Sequence, residues 1–156
     1  MTADYPEERP NPPRRGVKKG LYLVPSAFTA GNIGMGFFSV MSSLRGFQLL
    51  GGSTPDLAGA TVHFDHAAIA IGFALLFDML DGRIARLTKT TTEIGIQLDS
   101  IADVVTFGLA PAVLAYVWGY GATLQEGTHL HKLAWFLSFM YLICGAFRLA
   151  RFNVQA

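Results

Sequence analysis

The sequence predicts an all-α fold, a polytopic bundle of transmembrane helices, and two observations carry that prediction. Hydrophobic residues make up 51% of the 156 and charged residues only 15%, and the apolar ones gather into long blocks. At 1.5 Å of rise per helical residue, each block can cross the roughly 30 Å of a bilayer's hydrocarbon. The second observation is that the cations fall between the blocks and mostly on one side of them. A chain of this length suits one domain. Its one cysteine, Cys144, excludes an intramolecular disulfide and reads as a small core residue. The net charge of +1 hides the asymmetry and by itself points to no class of partner; no nucleic acid is expected.

Residues 1–19 form a basic, proline-rich tail containing Arg9, Arg14, Arg15, Lys18 and Lys19. It has no apolar periodicity and is expected to be disordered until its last few residues. Its cations either lie against anionic lipid headgroups, at about 1 kcal/mol each, or simply set topology. The first helix is predicted over Leu21–Leu44, too long for a cleaved signal peptide and read as a retained anchor. Pro25, Ser26, Thr29 and Asn32 give its start a polar patch, while Gly31, Gly34 and Gly36 permit close helix contact. Thr29 and Asn32 face either a ligand or a neighbouring helix.

A Gly-rich connection with Pro55 and His63 is expected over Arg45–Asp65, then a second helix over His66–Leu87 and a short turn over Thr88–Thr92. Thr90 followed by Glu93 has the form of a capping box, so a third helix should begin there and run to Tyr120, bent at Pro111. After a polar loop over Gly121–His131, the fourth helix is predicted over Lys132–Asn153. It ends with Arg148 and Arg151 three apart on one face. His63 with His66 and His129 with His131 belong to different connections without other ligands, and are not read as a metal site.

Successive helices alternate in direction, so the tail, the turn at Lys89 and the end of the fourth helix share one side. That side holds ten cations: the five of the tail, then Arg83, Arg86, Lys89, Arg148 and Arg151. Only Arg45 and Lys132 fall on the other. By the positive-inside rule the cation-rich side is cytoplasmic, in what is expected to be the cell's inner membrane.

On that side lie four carboxylates, Asp78, Asp81, Asp99 and Asp103, inside otherwise apolar segments. Each would cost roughly 2.5–3.5 kcal/mol at a bilayer centre without compensation. Asp78 and Asp81 are three residues apart and Asp99 and Asp103 four apart, so on helices each pair shares a face. Gly82, Ala85 and Gly95 leave a hollow beside them. Oxygen ligands around a hollow suit a hard cation, Mg²⁺ or Mn²⁺, with positions open for phosphate oxygens. Arg83 and Arg86 add fixed positive charge at the rim, as a bound diphosphate requires.

Asp78, Asp81, Gly82, Ala85, Arg86, Gly95, Asp99 and Asp103, at these intervals, resemble the signature of the CDP-alcohol phosphatidyltransferase family. The resemblance implies that these residues and Thr29 bind CDP-diacylglycerol, that the four aspartates hold the metal, and that Asp103 is the base taking a proton from the incoming hydroxyl. It implies a homodimer in a membrane, and a six-helix fold of which four helices are visible over 20–156, so the domain is expected to be C-terminally incomplete. In the family the residue after the first proline is usually asparagine; here it is Ser26. The stretches Tyr22–Asn32, Gln97–Pro111 and Ala146–Asn153 are similar to the family's serine-accepting members. L-Serine is therefore the expected acceptor, with Arg148, Arg151 and Asn153 as its site; snorkelling of the two arginines to the interface is the competing reading. The same motif serves acceptors such as glycerol 3-phosphate and inositol phosphate. A divalent-cation transporter is the alternative of another class, although no charge marks a path to the far side.

Overall fold

The computed structural model describes the backbone of residues 15–51, 53–88, 93–121 and 129–155, and side chains within 27–51, 53–80, 82–84, 95–119 and 129–154. The expected tail up to residue 14, the turn at 89–92 with its Thr90 cap, and residues 122–128 lie outside the described residues. So do the side chains of Pro25 and Ser26.

Two long helices, α1 (Arg15–Leu50) and α2 (Leu57–Thr88), form the most extensive pair. Small residues let them close on each other. Ala60, Ala67, Ala70 and Ala74 are buried along one face of α2 and Ser39, Ser42 and Ser43 along α1, at the 3–4 spacing of a packed helical stripe. Ser39 Oγ donates to the Ala67 carbonyl across the pair at 2.9 Å, and Ser43 Oγ to the Ser39 carbonyl at 2.8 Å. In an apolar surrounding these hydroxyls need such acceptors.

The connection between α1 and α2 is much shorter than expected. The helices run to Leu50 and from Leu57, where the sequence reading placed a loop over Arg45–Asp65. Gly46 belongs to the helix because Phe64 occupies the space a side chain would take: a Cβ there would lie 2.7 Å from the ring. Asp56 caps α2, accepting the Gly59 N–H at 2.9 Å, and its own N–H bonds the Leu49 carbonyl at 3.0 Å. His63 and His66 therefore stand on one helix, rings 6.4 Å apart, rather than in and beside a loop.

The third rod is described from Glu93 onward, first as α3 (Glu93–Asp103). It then passes through a π-helical segment (Val104–Leu109), α4 (Ala110–Tyr116) and a second π-helical segment (Val117–Gly121). The expected effect of Pro111 is thus realised as a change of winding. Proline has no N–H for the preceding turn. The fourth rod, α5 (His129–Gln155), already includes the turn before Lys132; His131 Nε2 lies 3.0 Å from Tyr116 Oη, which ties that turn to α4.

All described secondary structure is helical. Among the described residues, two stretches, Gly95–Gly119 and His129–Val154, are long and apolar enough to cross a membrane, and only 6% of the second is buried inside the bundle. Phe37, Phe38 and Met41 on α1, Phe73, Leu76 and Met79 on α2, and Trp135 and Phe136 on α5 point outward. A soluble surface does not carry such an apolar coat, whereas lipid covers it without cost. The chain is an all-α membrane helix bundle.

Candidate functional site

Asp78 of α2 and Asp99 and Asp103 of α3 converge as the sequence spacing requires. Each offers a carboxylate oxygen within 4.8 Å of the others, and all three are half-buried. Asp99 and Asp103 do this because they are one turn apart on α3; Asp78 meets them from α2. Packing of the Phe28 ring against Phe77, 6.2 Å between centroids, holds α1 to α2 beside Asp78. Three carboxylates this close repel one another unless a cation lies among them, and an all-oxygen donor set suits Mg²⁺ or Mn²⁺. The cluster fits a divalent ion.

Gly82 follows Asp78 by one turn and Gly95 precedes Asp99 by one turn, both half-buried; Arg83 is exposed. The side chains of Asp81, Ala85 and Arg86 lie outside the described residues. Thr29 and Asn32 of α1 both turn inward and are buried. Asn32 is 1% exposed, and its amide faces the Asp103 carboxylate closely enough to interact with it. The pair nevertheless stops short of hydrogen-bond geometry, leaving both Asn32 side-chain atoms and Asp103 Oδ1 unsatisfied. The Asn32 backbone carbonyl accepts a hydrogen bond from Thr106 Oγ1 at 3.0 Å.

From Asp103 a groove of about 980 Å³ opens between the first π-helical segment and α5. Arg148 and Arg151 line it together with Asp103, and Phe107, Leu137, Met140 and Leu149 supply apolar walls. The two arginines and the aspartate thus meet at one level, as alternating topology predicted. Cys144, expected in the core, is exposed and lines this groove.

Asn153 sits apart from this groove, in a smaller hollow with Gln97 and Ser100. Its Nδ2 donates to Ser100 Oγ, which donates to the Ile96 carbonyl at 2.9 Å, so it fastens the end of α5 to α3 between Asp99 and Asp103. Sequence reasoning did not single out Ser100, Thr106 or Tyr141. Tyr141 Oη donates to the Phe107 carbonyl at 3.1 Å inside the groove wall. The proline four residues after Phe107 was a signal that this carbonyl would need another donor.

The fold and site define a helical membrane protein with a carboxylate centre of metal-binding type. The chain belongs to the CDP-alcohol phosphatidyltransferase family, whose model matches residues 22–156. It is similar to the CDP-diacylglycerol–serine O-phosphatidyltransferase of Helicobacter pylori strain 26695, 36% identical over 135 residues, covering 86% of this chain and 47% of that protein. The enzyme of the same name from Saccharomyces cerevisiae is 39% identical over 119 residues, 76% of this chain and 37% of that protein. That from Methanocaldococcus jannaschii is 42% identical over 84 residues, 54% of this chain and 37% of that protein. The chain spans less than half the length of these curated relatives. No solved structure matches it.

Proposed function

We propose that this protein transfers a phosphatidyl group from CDP-diacylglycerol to the hydroxyl of L-serine, giving phosphatidylserine and CMP. The observation that carries the reading is the convergence of Asp78, Asp99 and Asp103 within 4.8 Å at the head of a groove that also holds Arg148 and Arg151. The names of the relatives support serine as the acceptor.

In this reading Asp78, Asp81, Asp99 and Asp103 hold one or two divalent ions, Mg²⁺ or Mn²⁺. Such an ion offsets the negative charge that builds on the phosphate oxygens during transfer. Thr29, Gly82, Ala85, Arg86 and Gly95 line the place of the nucleotide diphosphate, where small side chains leave room and Arg86 adds charge. Asp103 takes the proton from the serine hydroxyl. The serine oxygen bonds to the lipid-side phosphorus, the bond from that phosphorus to the bridging oxygen breaks, and CMP leaves with the electron pair.

Arg148 and Arg151 bind the serine carboxylate, for which a guanidinium fork is matched. Asn153, in the neighbouring hollow and bonded to Ser100, holds the end of α5 that carries these arginines against α3. The acyl chains remain in the bilayer, and the cation-rich side with the site faces the cytoplasm, where serine enters. The working unit is a homodimer in the inner membrane; Gly31 and Gly34 on α1 have open space beside them for a second copy.

The test is CMP release from CDP-diacylglycerol by the purified full-length protein with Mn²⁺ or Mg²⁺, with and without L-serine. Serine-dependent release that chelation abolishes is expected. Release with glycerol 3-phosphate or inositol phosphate but not serine would overturn the acceptor. Silence with every acceptor would overturn the reaction.

A further inference from the structure

We infer that the Asn32 side chain is a positioning residue of the carboxylate centre, its amide N–H holding one oxygen of Asp103 so that the other faces the cation and the incoming hydroxyl. The inference rests on the reading that these carboxylates hold a divalent ion. It goes beyond the motif residues, all of which lie on α2 and α3, by bringing α1 into the centre.

Three observations lead there. Asn32 is 1% exposed, yet neither atom of its amide has a hydrogen-bond partner, and Asp103 Oδ1 beside it is equally buried and unsatisfied. Buried polar atoms left this way call for a specific reason. The amide faces that same carboxylate closely enough to interact with it. Hydrogen bonds in unliganded sites are often long and close only when the site is loaded.

The third observation removes the simpler explanation, a hydrogen bond that merely joins helices. That task belongs to the Asn32 backbone, whose carbonyl accepts from Thr106 on the π-helical segment at 3.0 Å. Gly36, one turn further along α1, lets the two segments approach: a Cβ there would lie 2.5 Å from Thr106 Oγ1. The backbone contact sets the height of α1 against Asp103, and the side chain is left for the carboxylate. Partners that hydrogen-bond a ligating carboxylate fix which of its oxygens reaches the metal, and their loss typically weakens metal affinity about 10–100-fold.

Mn²⁺ binding to the full-length protein in detergent, followed by the electron paramagnetic resonance of free Mn²⁺, tests this without any turnover. Asn32→Leu, close in size and unable to donate, should weaken Mn²⁺ affinity about 10–100-fold. Asn32→Ala should do the same and guards against misfolding of the larger variant. Thr106→Val removes the inter-helix bond but keeps the amide and, being nearly the same size, the packing against Gly36; it should weaken Mn²⁺ affinity clearly less than either Asn32 variant. Wild-type affinity in both Asn32 variants would overturn the inference, and so would an equal loss in Thr106→Val, which would make the effect one of packing. If Mn²⁺ binding depends on Asn32 but the protein releases no CMP with any acceptor, the proposed reaction fails and the role of Asn32 stands.

Discussion

The Tyr141 hydroxyl donates to the Phe107 carbonyl at 3.1 Å, the oxygen that would accept from residue 111 in an α-helix and that Pro111 leaves without that donor. The bond fastens α5 to the π-helical segment that follows Asp103, inside the groove wall. Arg148 stands seven residues further along α5, two turns away on the same face.

Tyr141→Phe keeps the ring and removes only the donor. It should lower stability by about 1 kcal/mol and raise the KM for the acceptor several-fold, with kcat reduced less, because the groove loses alignment while the carboxylates stay in place. Thermal unfolding in detergent and steady-state kinetics in L-serine check it. An unchanged KM would mean that α5 keeps its place without this bond.

Asp103→Asn preserves shape and removes the proton acceptor. Turnover should fall by at least roughly 10²–10⁴, the usual contribution of a general base, with the altered metal ligand adding to the loss, while CDP-diacylglycerol still binds through the other residues of its site. Asp65→Asn, an exposed change on α2 far along the helix from Asp78, is the control and should leave turnover unchanged. CMP release and nucleotide binding, measured on both variants, separate chemistry from binding. An Asp103→Asn protein with most of its turnover intact would remove Asp103 from the role of base.

Gly36→Ala should test how tightly α1 seats on the π-helical segment. Its Cβ would meet Thr106 Oγ1 at 2.5 Å and Thr106 Cα at 2.9 Å, and a backbone atom cannot step aside. A loss of about 1–3 kcal/mol is expected, as for overpacking elsewhere. Gly72→Ala on α2, with nothing within 4 Å, should be neutral or gain up to about 1 kcal/mol from alanine's better helix propensity. Denaturation of the two variants side by side reads the difference, and equal stability would mean that the α1 contact is loose.

The carboxylate centre was legible in the sequence because acids at i, i+3 and i, i+4 within apolar segments have few other reasons to exist. Spacing placed Asp99 and Asp103 on one face, and charge alternation brought Arg148 and Arg151 to their level. The α1–α2 connection was misread because glycine serves two purposes. Gly46 looks like a loop residue but makes room for Phe64, and Gly59 donates to the Asp56 cap. The π-helical winding after Asp103 was not legible either. Pro111 announced a break, but only the packing of Thr106 against α1 and of Tyr141 against Phe107 determines how the chain absorbs it. Asn32 remained ambiguous, since the sequence cannot separate the work of its backbone from that of its side chain.

Arg148 and Arg151 are three apart on α5 and line the groove with Asp103, a placement that interfacial anchoring alone does not require. An anchor needs only positive charge and an apolar stem, and lysine supplies both. A guanidinium that grips a carboxylate through two parallel hydrogen bonds is not replaced by an ammonium. Arg148→Lys and Arg151→Lys should therefore insert and fold normally, yet at least one should raise the KM for L-serine about tenfold or more, the loss of one charge-assisted hydrogen bond of about 1.5–3 kcal/mol. The KM for CDP-diacylglycerol should not move. Steady-state kinetics with each substrate varied in turn measure both quantities. If both lysine variants keep the wild-type KM for serine, the arginines are anchors and the acceptor is held elsewhere.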